Sequence, residues 1–418
     1  MSMRTRVGPV AALSIAALAL VGCSSGTPSG GTDGEAVAGE QVDLRWIMSA
    51  DSQAEIDVWN HLADMVTEEY PNIDVTFESA AFQDYYNKLT AMAAANDLPC
   101  IAGLQAQRVP DVGSLFMDLT EHFEATDFDI EAYESSIVEG LQQDGKQLAV
   151  PYDLGPYVLY YNRDMFAAAG VPEPTPGWTV EEFLEAARAL TTDGQYGYVV
   201  DGTPDQWLPY VLSIGGDYLS GGEPDLTNDK VVEGFEFVVG LATEEGVAPS
   251  IPSTGASNWP ADQWRNGNAA MYVDGPWQLI NAKANVPFEI GLTTIPAFDG
   301  TSVTTMSGTG FGVTTTCENP EEAWQAISVI IGPEAQQYIA EAGRGFPAYE
   351  EAQQYWYETA GVEGAQEAID TALETVNTYP TSPGWNRLSE LMRQYAVEAF
   401  NGSKSPEEVL SEVQAQVG

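Results

Sequence analysis

Strand-like and helix-like runs alternate through the first part of this chain's body, and that alternation limits the open folds more than any other feature. Val42–Ile47 largely alternates apolar and polar side chains, the period of a strand with one buried face. Ser52 stands three residues ahead of Glu55, the spacing at which a hydroxyl and a carboxylate cap a helix N-terminus reciprocally. Ile56, Trp59, Ala63, Val66 and Tyr70 then fall on one helical face, and Pro71 ends it. Ile73–Phe77 reads as a second strand, Phe82–Ala95 as a second helix and Cys100–Leu104 as a third strand. This βαβαβ order predicts an α/β fold with a mainly parallel sheet covered by helices.

The pattern recurs downstream. Thr179 and Glu182 repeat the capping-box spacing, and Val180, Phe183, Leu184, Ala187 and Leu190 form the apolar face of the helix they open. Tyr196–Val200 reads as a strand, and residues 292–316 as a Gly- and Thr-rich β region. Pro320 opens a helix behind Asn319, and Ser405 with Glu408 frames the last one. The body after residue 41 exceeds one ordinary core, so two lobes are expected.

The N-terminus reads as a targeting segment. Arg4 and Arg6 precede an apolar run, Val10–Val21, that is shorter than the roughly 20 residues a membrane span takes. It ends in Leu20-Val21-Gly22-Cys23, which resembles the lipobox of bacterial lipoproteins, where the cysteine is lipidated and becomes the first mature residue. The alternative is an ordinary signal peptide with a chance cysteine. Residues 1–22 are thus expected to be a signal peptide and 23–41 a flexible tether of Ser, Gly, Thr and Ala with a reach of roughly 20–25 Å. That arrangement implies an extracytoplasmic protein anchored to the cell membrane by lipid.

Charge narrows the partners. Lys+Arg 15 against Asp+Glu 62 gives a net charge of −47, scattered along the chain, which excludes the basic footprint of a nucleic-acid binder. The scattered acids read as a solvated surface. Neither a metal site nor a cofactor motif emerges. The two histidines, His61 and His122, sit in separate helical runs, and the cysteines Cys100 and Cys317 lack the spacing of a zinc site. Gly140–Gln147 nearly matches a phosphate-binding loop, but Gln147 stands where Ser or Thr would hold magnesium, and a helix precedes it rather than follows. Gly308–Gly312 is followed by a β run, not a helix, and so is no dinucleotide fingerprint.

At Leu148–Phe166, with Ala169–Pro172 and Trp178–Phe183, the chain resembles family 1 extracellular solute-binding proteins, the maltose-binding-protein-like group. Phe82–Met92, Trp264–Met271 with Gly275-Pro276-Trp277, and Asn319–Trp324 resemble the same family in the same order. The resemblance implies a two-lobed, type II periplasmic-binding-protein-like fold, its discontinuous lobes joined by a hinge. The N-terminal lobe is expected at 42–151 and 304–345, the C-terminal lobe at 152–303 and 346–418. In the family the strand after the return crossing lies beside the third strand, which would bring Cys317 near Cys100; a disulfide between them is one outcome and two free thiols the other.

A sugar presents polar edges and apolar C–H faces, so a site for it needs aromatic platforms and fixed hydrogen-bonding groups. The family commonly stacks sugar on the tryptophan matched by Trp277. Trp207 and Trp259 lie in segments read as loops, and Tyr379 and Trp385 flank a Pro-containing loop that could line the far wall. Trp264 and Trp324 read as core. Asp153 follows Pro151-Tyr152 at the inter-lobe crossing, as a sugar-binding carboxylate or a structural hinge contact. Ser49, Asp51 and Gln105 follow strand ends, where α/β sheets bind ligands, and Phe82 opens the helix after the second strand. Gly308 allows close backbone approach. Arg344, between two glycines, is a ligand contact or a surface ion pair.

Together these features imply a non-enzymatic, monomeric binding lipoprotein that captures a small polar ligand, expected to be a mono- or oligosaccharide, and delivers it to the permease subunits of an ABC importer. Two alternatives stand beside it. One is a lipoprotein for sensing or adhesion; the other is a secreted glycosidase, which would need two carboxylates about 5–10 Å apart across a sugar bond.

Overall fold

The computed structural model describes residues 40–252, 258–378 and 382–417. Cys23, the expected signal peptide at residues 1–22 and Tyr379 lie outside these residues. In chain order the elements that frame the site are β1 (Val42–Ser49), α1 (Gln53–Glu69), β2 (Ile73–Ala80), α2 (Phe82–Ala94), β3 (Ile101–Gln105), β4 (Val150–Pro156) and β5 (Val158–Asn162). There follow α3 (Val180–Leu190), β6 (Tyr196–Tyr198), α4 (Pro204–Ser213), α5 (Trp259–Arg265), β7 (Ala269–Asp274), β8 (Ile290–Thr293) and β9 (Thr305–Val313). The last are α6 (Pro320–Ile330), α7 (Pro333–Ala342), β10 (Phe346–Pro347), β11 (Asn377–Thr378), α8 (Trp385–Phe400) and α9 (Pro406–Val417). Residues 40–418 make one folded unit with both hydrophobic cores inside it.

Two sheets organise that unit. The first runs β10-β4-β9-β3-β1-β2, with β11 paired to β9. β1 lies parallel to β2 and to β3, as the βαβαβ order requires, while β9 returns antiparallel between β3 and β4. The second runs β8-β5-β7-β6. Sheet membership runs past the expected crossing at residue 151. The whole of β4 pairs in the first sheet, and the chain enters the second sheet only at β5. Phe346 and Trp356, expected with the C-terminal lobe, stay with the first sheet: Phe346 is a residue of β10, and the Trp356 ring meets it edge to face. The reason is local: Phe346-Pro347 pairs antiparallel with Leu154-Asp153 and so keeps the segment on the first sheet.

The helix starts follow from their caps. Thr179 and Glu182 form the reciprocal box on α3, and Ser405 and Glu408 do the same on α9. Ser52 accepts the Glu55 N–H at 3.2 Å, but the Glu55 carboxylate accepts from the Asn281 side chain at 2.6 Å. The carboxylate also accepts from the Ser52 hydroxyl at 3.3 Å and the Asp51 N–H at 3.4 Å, so the local cap shares it with a buried partner 226 residues away. Trp46, Trp59, Phe77 and Phe311 interlock edge to face in the first core, with Tyr152 stacked on Phe311. Trp264 and Trp324 are fully buried, as expected of core residues. A disulfide joins Cys100 to Cys317 where β9 passes β3.

Candidate ligand cleft

A cleft opens between the two sheets, at strand ends and helix starts. The first sheet contributes Ser49 at the end of β1 and Asp51 just after it, Gln105 at the end of β3, Asp153 on β4, Ser307–Thr309 on β9, and Arg344 after α7. Facing them are Asp274 at the end of β7, Trp277 in the following turn, Asp201–Gln206 around the start of α4, Asn258 and Pro260 at the start of α5, and one face of α8. Eight residues expected at the site stand together in this cleft: Ser49, Asp51, Phe82, Gln105, Asp153, Trp277, Gly308 and Arg344.

Trp277 owes its place to two glycines. Gly275 has φ −97 and ψ 173, a conformation any residue adopts, yet a Cβ there would lie 2.1 Å from Trp277 Cη2. A Cβ on Gly155 would lie 3.1 Å from the same ring. Both positions are empty because the indole fills them. Its edge meets Tyr157, ring centroids 5.3 Å apart, and the ring is half-buried. The indole N–H donates to the Asp274 carboxylate, which also accepts the Gly275 N–H at 2.8 Å. Burial pushes the Asp274 carboxyl up to about 7; those two hydrogen bonds oppose the rise and the neighbouring Asp205 adds to it.

Asp153 is buried, and its Oδ1 accepts the Thr309 N–H at 2.8 Å, beside the register shift of β9 between Thr309 and Gly310. One oxygen thus holds the irregular strand while the residue faces the cleft. Burial pushes its carboxyl up to about 6 against the pull of Arg344 and the Thr309 N–H. Arg344 makes an ion pair, but a buried one. Its Nη2 lies 3.6 Å from Glu55 Oε2, and its guanidinium sits 4.7 Å from the Trp59 ring centroid. Four cleft residues carry buried polar atoms with no protein partner: Gln105 Oε1, Gln206 Oε1, Arg108 Nε and Arg344 Nε. Buried polar atoms are normally paired, so these four leave hydrogen-bonding capacity unused in the cleft lining.

Three expected aromatic contacts are corrected. The segment around Trp207 is not a loop: Thr203 and Pro204 start α4, and Trp207 is fully buried against Phe235. Its neighbour Gln206 faces the cleft instead. Trp385 begins α8 and is buried against Tyr218, while the next residue, Asn386, lines the wall. Trp259 begins α5 and packs half-buried against both cores, leaving the cleft to Asn258 and Pro260.

The reading from sequence missed most of the second wall. Asn386, Ser389, Glu390 and Arg393 recur at one-face helical spacing on α8 and all line the cleft. Asp201 accepts from the Thr203 N–H at 2.8 Å and the Thr203 hydroxyl at 2.6 Å, setting the turn into α4. Tyr157 hydrogen-bonds to Asp205. Arg108, just after β3, lies 5.2 Å over the Tyr86 ring. The cleft as a whole carries seven carboxyl groups against three guanidinium groups, so it is rich in acceptors and suits a ligand rich in hydroxyl donors. No group of three or more metal-ligating side chains stands together among the described residues.

Residues 61–373 match the family model described as bacterial extracellular solute-binding protein. The chain is 25% identical to a probable ABC transporter-binding protein of Deinococcus radiodurans, over 54% of this chain and 56% of the relative. It is also 25% identical to an arabinooligosaccharide-binding protein of Halalkalibacterium halodurans, over 68% of this chain and 64% of that one. Both matches span less than two thirds of the relative's own length. Among solved structures, an ABC substrate-binding protein of Listeria monocytogenes in complex with cycloalternan superposes with a TM-score of 0.84 at 23% identity, covering 90% of this chain and 98% of that one. A Streptomyces glaucescens receptor, solved unliganded and with acarbose, superposes with a TM-score of 0.79 at 22% identity, covering 90% and 97%.

Proposed function

This chain belongs to the bacterial extracellular solute-binding protein family, and we propose that it is the receptor of an ABC importer, capturing a mono- or oligosaccharide between two closing lobes. The observation that carries the reading is the Trp277 indole, held half-exposed at a cleft lined with acceptors and with buried polar atoms left without protein partners. An indole face offers apolar contact to sugar C–H groups, and fixed carboxylates and amides accept from its hydroxyls. The printed ligands of the relatives and structural neighbours, an arabinooligosaccharide, cycloalternan and acarbose, support the carbohydrate class.

Each sheet with its helices forms one lobe, and the segments between them near residues 157 and 304 act as the hinge. Asp51, Asp153, Gln105, Arg344 and Trp277 make the ligand contacts. The protein works as a monomer outside the cytoplasm, tethered by lipid on Cys23, and its acidic surface meets the permease subunits. No helix among the described residues is long and apolar enough to cross a membrane.

Thermal unfolding of the body from Glu40 onward, run against sugars, polyols, amino acids and short peptides, tests the reading. Ligand at a hundred times its dissociation constant adds about 2.7 kcal/mol to stability. A shift with one sugar class supports the proposal. A shift with amino acids or peptides alone removes the carbohydrate assignment.

A further inference from the structure

Helix α8 reaches across the cleft. Its own apolar face, Trp385, Leu388 and Met392, lies in the second core. Its polar face meets elements that pack on the first. Arg108 Nη1 donates to Asn386 Oδ1 at 3.0 Å, Asn87 Nδ2 to Glu390 Oε1 at 2.9 Å, and Arg393 donates to Gln83 Oε1. The helix has no side-chain cap of its own, because its N-cap is Gly384, in the left-handed region at φ +87. The cap comes from the other side of the cleft. Asp111 accepts the Gly384 N–H at 2.6 Å and the Asn386 N–H at 3.1 Å, one on each carboxylate oxygen. Asp111 stands in the short helical turn Val109–Val112, whose two valines are buried in the first core.

Among these cross-cleft partners, Arg108, Gln83, Asn386, Glu390 and Arg393 also line the ligand cleft, so their loss would mix ligand contact with closure. Asp111 does not line it. We propose that Asp111 is a positioning residue for ligand capture: by capping α8 from the opposite lobe it holds a closed population of the protein without touching ligand. The proposal rests on the two-lobed receptor reading. A carboxylate at a helix N-terminus meets the exposed N–H groups and the positive end of the helix dipole. When the lobes part, both sides return to water, so the gain belongs to the closed form alone. Affinity follows from the same ratio, because a ligand that needs the closed form binds in proportion to its population.

The test uses the body from Glu40 onward, which carries both cores, and needs no ligand. Asp111→Asn keeps the shape but offers one acceptor oxygen in place of two, and Asp111→Ala offers none. Small-angle X-ray scattering should show a closed fraction in the parent body matching this structure. That closed-to-open ratio should fall about five- to tenfold in Asp111→Ala, the scale of a lost N-cap. Asn87→Ala, also off the cleft wall, should give a smaller shift of the same sign. Melting temperatures within a few degrees of the parent would show that all three variants fold. Identical scattering from the parent and both Asp111 variants would overturn the proposal, as would a parent body with no closed fraction. A body that answers no sugar yet opens in Asp111→Ala keeps this inference and removes the carbohydrate reading. One that binds a sugar yet scatters unchanged does the reverse.

Discussion

Gly275→Ala separates the position of the Trp277 indole from its presence. The backbone at 275, φ −97 and ψ 173, suits alanine, so no dihedral penalty arises. The new methyl would stand 2.1, 2.3 and 2.4 Å from three indole carbons, distances that real Cβ contacts do not show. The ring must therefore leave its place, and its N–H must release Asp274. If a sugar face covers about 60–80 Å² of apolar surface on the indole, its loss removes about 1.5–2 kcal/mol of affinity at roughly 25 cal/mol per Å². That corresponds to an increase in Kd of about 10- to 30-fold. The fold should survive, since overpacking of this kind costs about 1–3 kcal/mol. Titration calorimetry with the sugar giving the largest melting shift would measure it, with Trp277→Ala as the benchmark. If Gly275→Ala binds within twofold of the parent while Trp277→Ala loses tenfold or more, the indole is not held by this steric fit. If both bind within twofold, Trp277 is not the platform.

Two further predictions concern stability. Burial holds the proton on Asp274 up to about 7 and on Asp153 up to about 6, against 3.8 for a free side chain. Between about pH 4 and 7 the folded body therefore keeps protons that an unfolded chain has shed, and raising the pH through that window lowers its stability. The melting temperature should fall from pH 5 to pH 7.5. Asp274→Asn, neutral throughout, should flatten that fall; an identical slope in parent and variant would count against a protonated Asp274, because surface repulsion acts on both alike. The Cys100–Cys317 bond closes a sequence separation of 217 residues, for which loop entropy gives about 5 kcal/mol as an upper figure. Replacing both cysteines by serine should lower the urea midpoint by the equivalent of about 3–5 kcal/mol, and an unchanged midpoint would show that the bond does not constrain the chain.

How far the structure could be read from sequence depended on whether a residue's place is set locally. Thr179 with Glu182 and Ser405 with Glu408 are complete within four residues, and both boxes form as spaced. Ser52 with Glu55 has the same spacing, but there the Glu55 carboxylate is shared between the Ser52 hydroxyl and Asp51 N–H of the cap and two partners distant in sequence, Asn281 and Arg344. Trp207 failed for a related reason. Proline and glycine nearby read as a loop, whereas Pro204 at the first helical position begins α4 and turns the ring into the core.

The second wall shows the deeper limit. On α8 the polar residues Asn386, Ser389, Glu390 and Arg393 lie opposite Leu388, Leu391 and Met392, the pattern of any helix with one face in water. Nothing in that pattern distinguishes a solvated face from one that closes on a ligand. The difference lies in the facing lobe, whose Arg108, Asn87 and Gln83 stand within hydrogen-bonding distance. Trp277 was legible because Gly275-Pro276-Trp277 is a local turn and resembles the family motif whose tryptophan stacks on sugar. A cleft that forms between two lobes thus divides into residues placed by their own backbone, which sequence can reveal, and residues whose role depends on the facing lobe, which it cannot. Asp111 belongs wholly to the second kind. In its own segment it is one half-buried acid among 62 acidic residues, and only α8, more than 270 residues on, gives it a helix to cap.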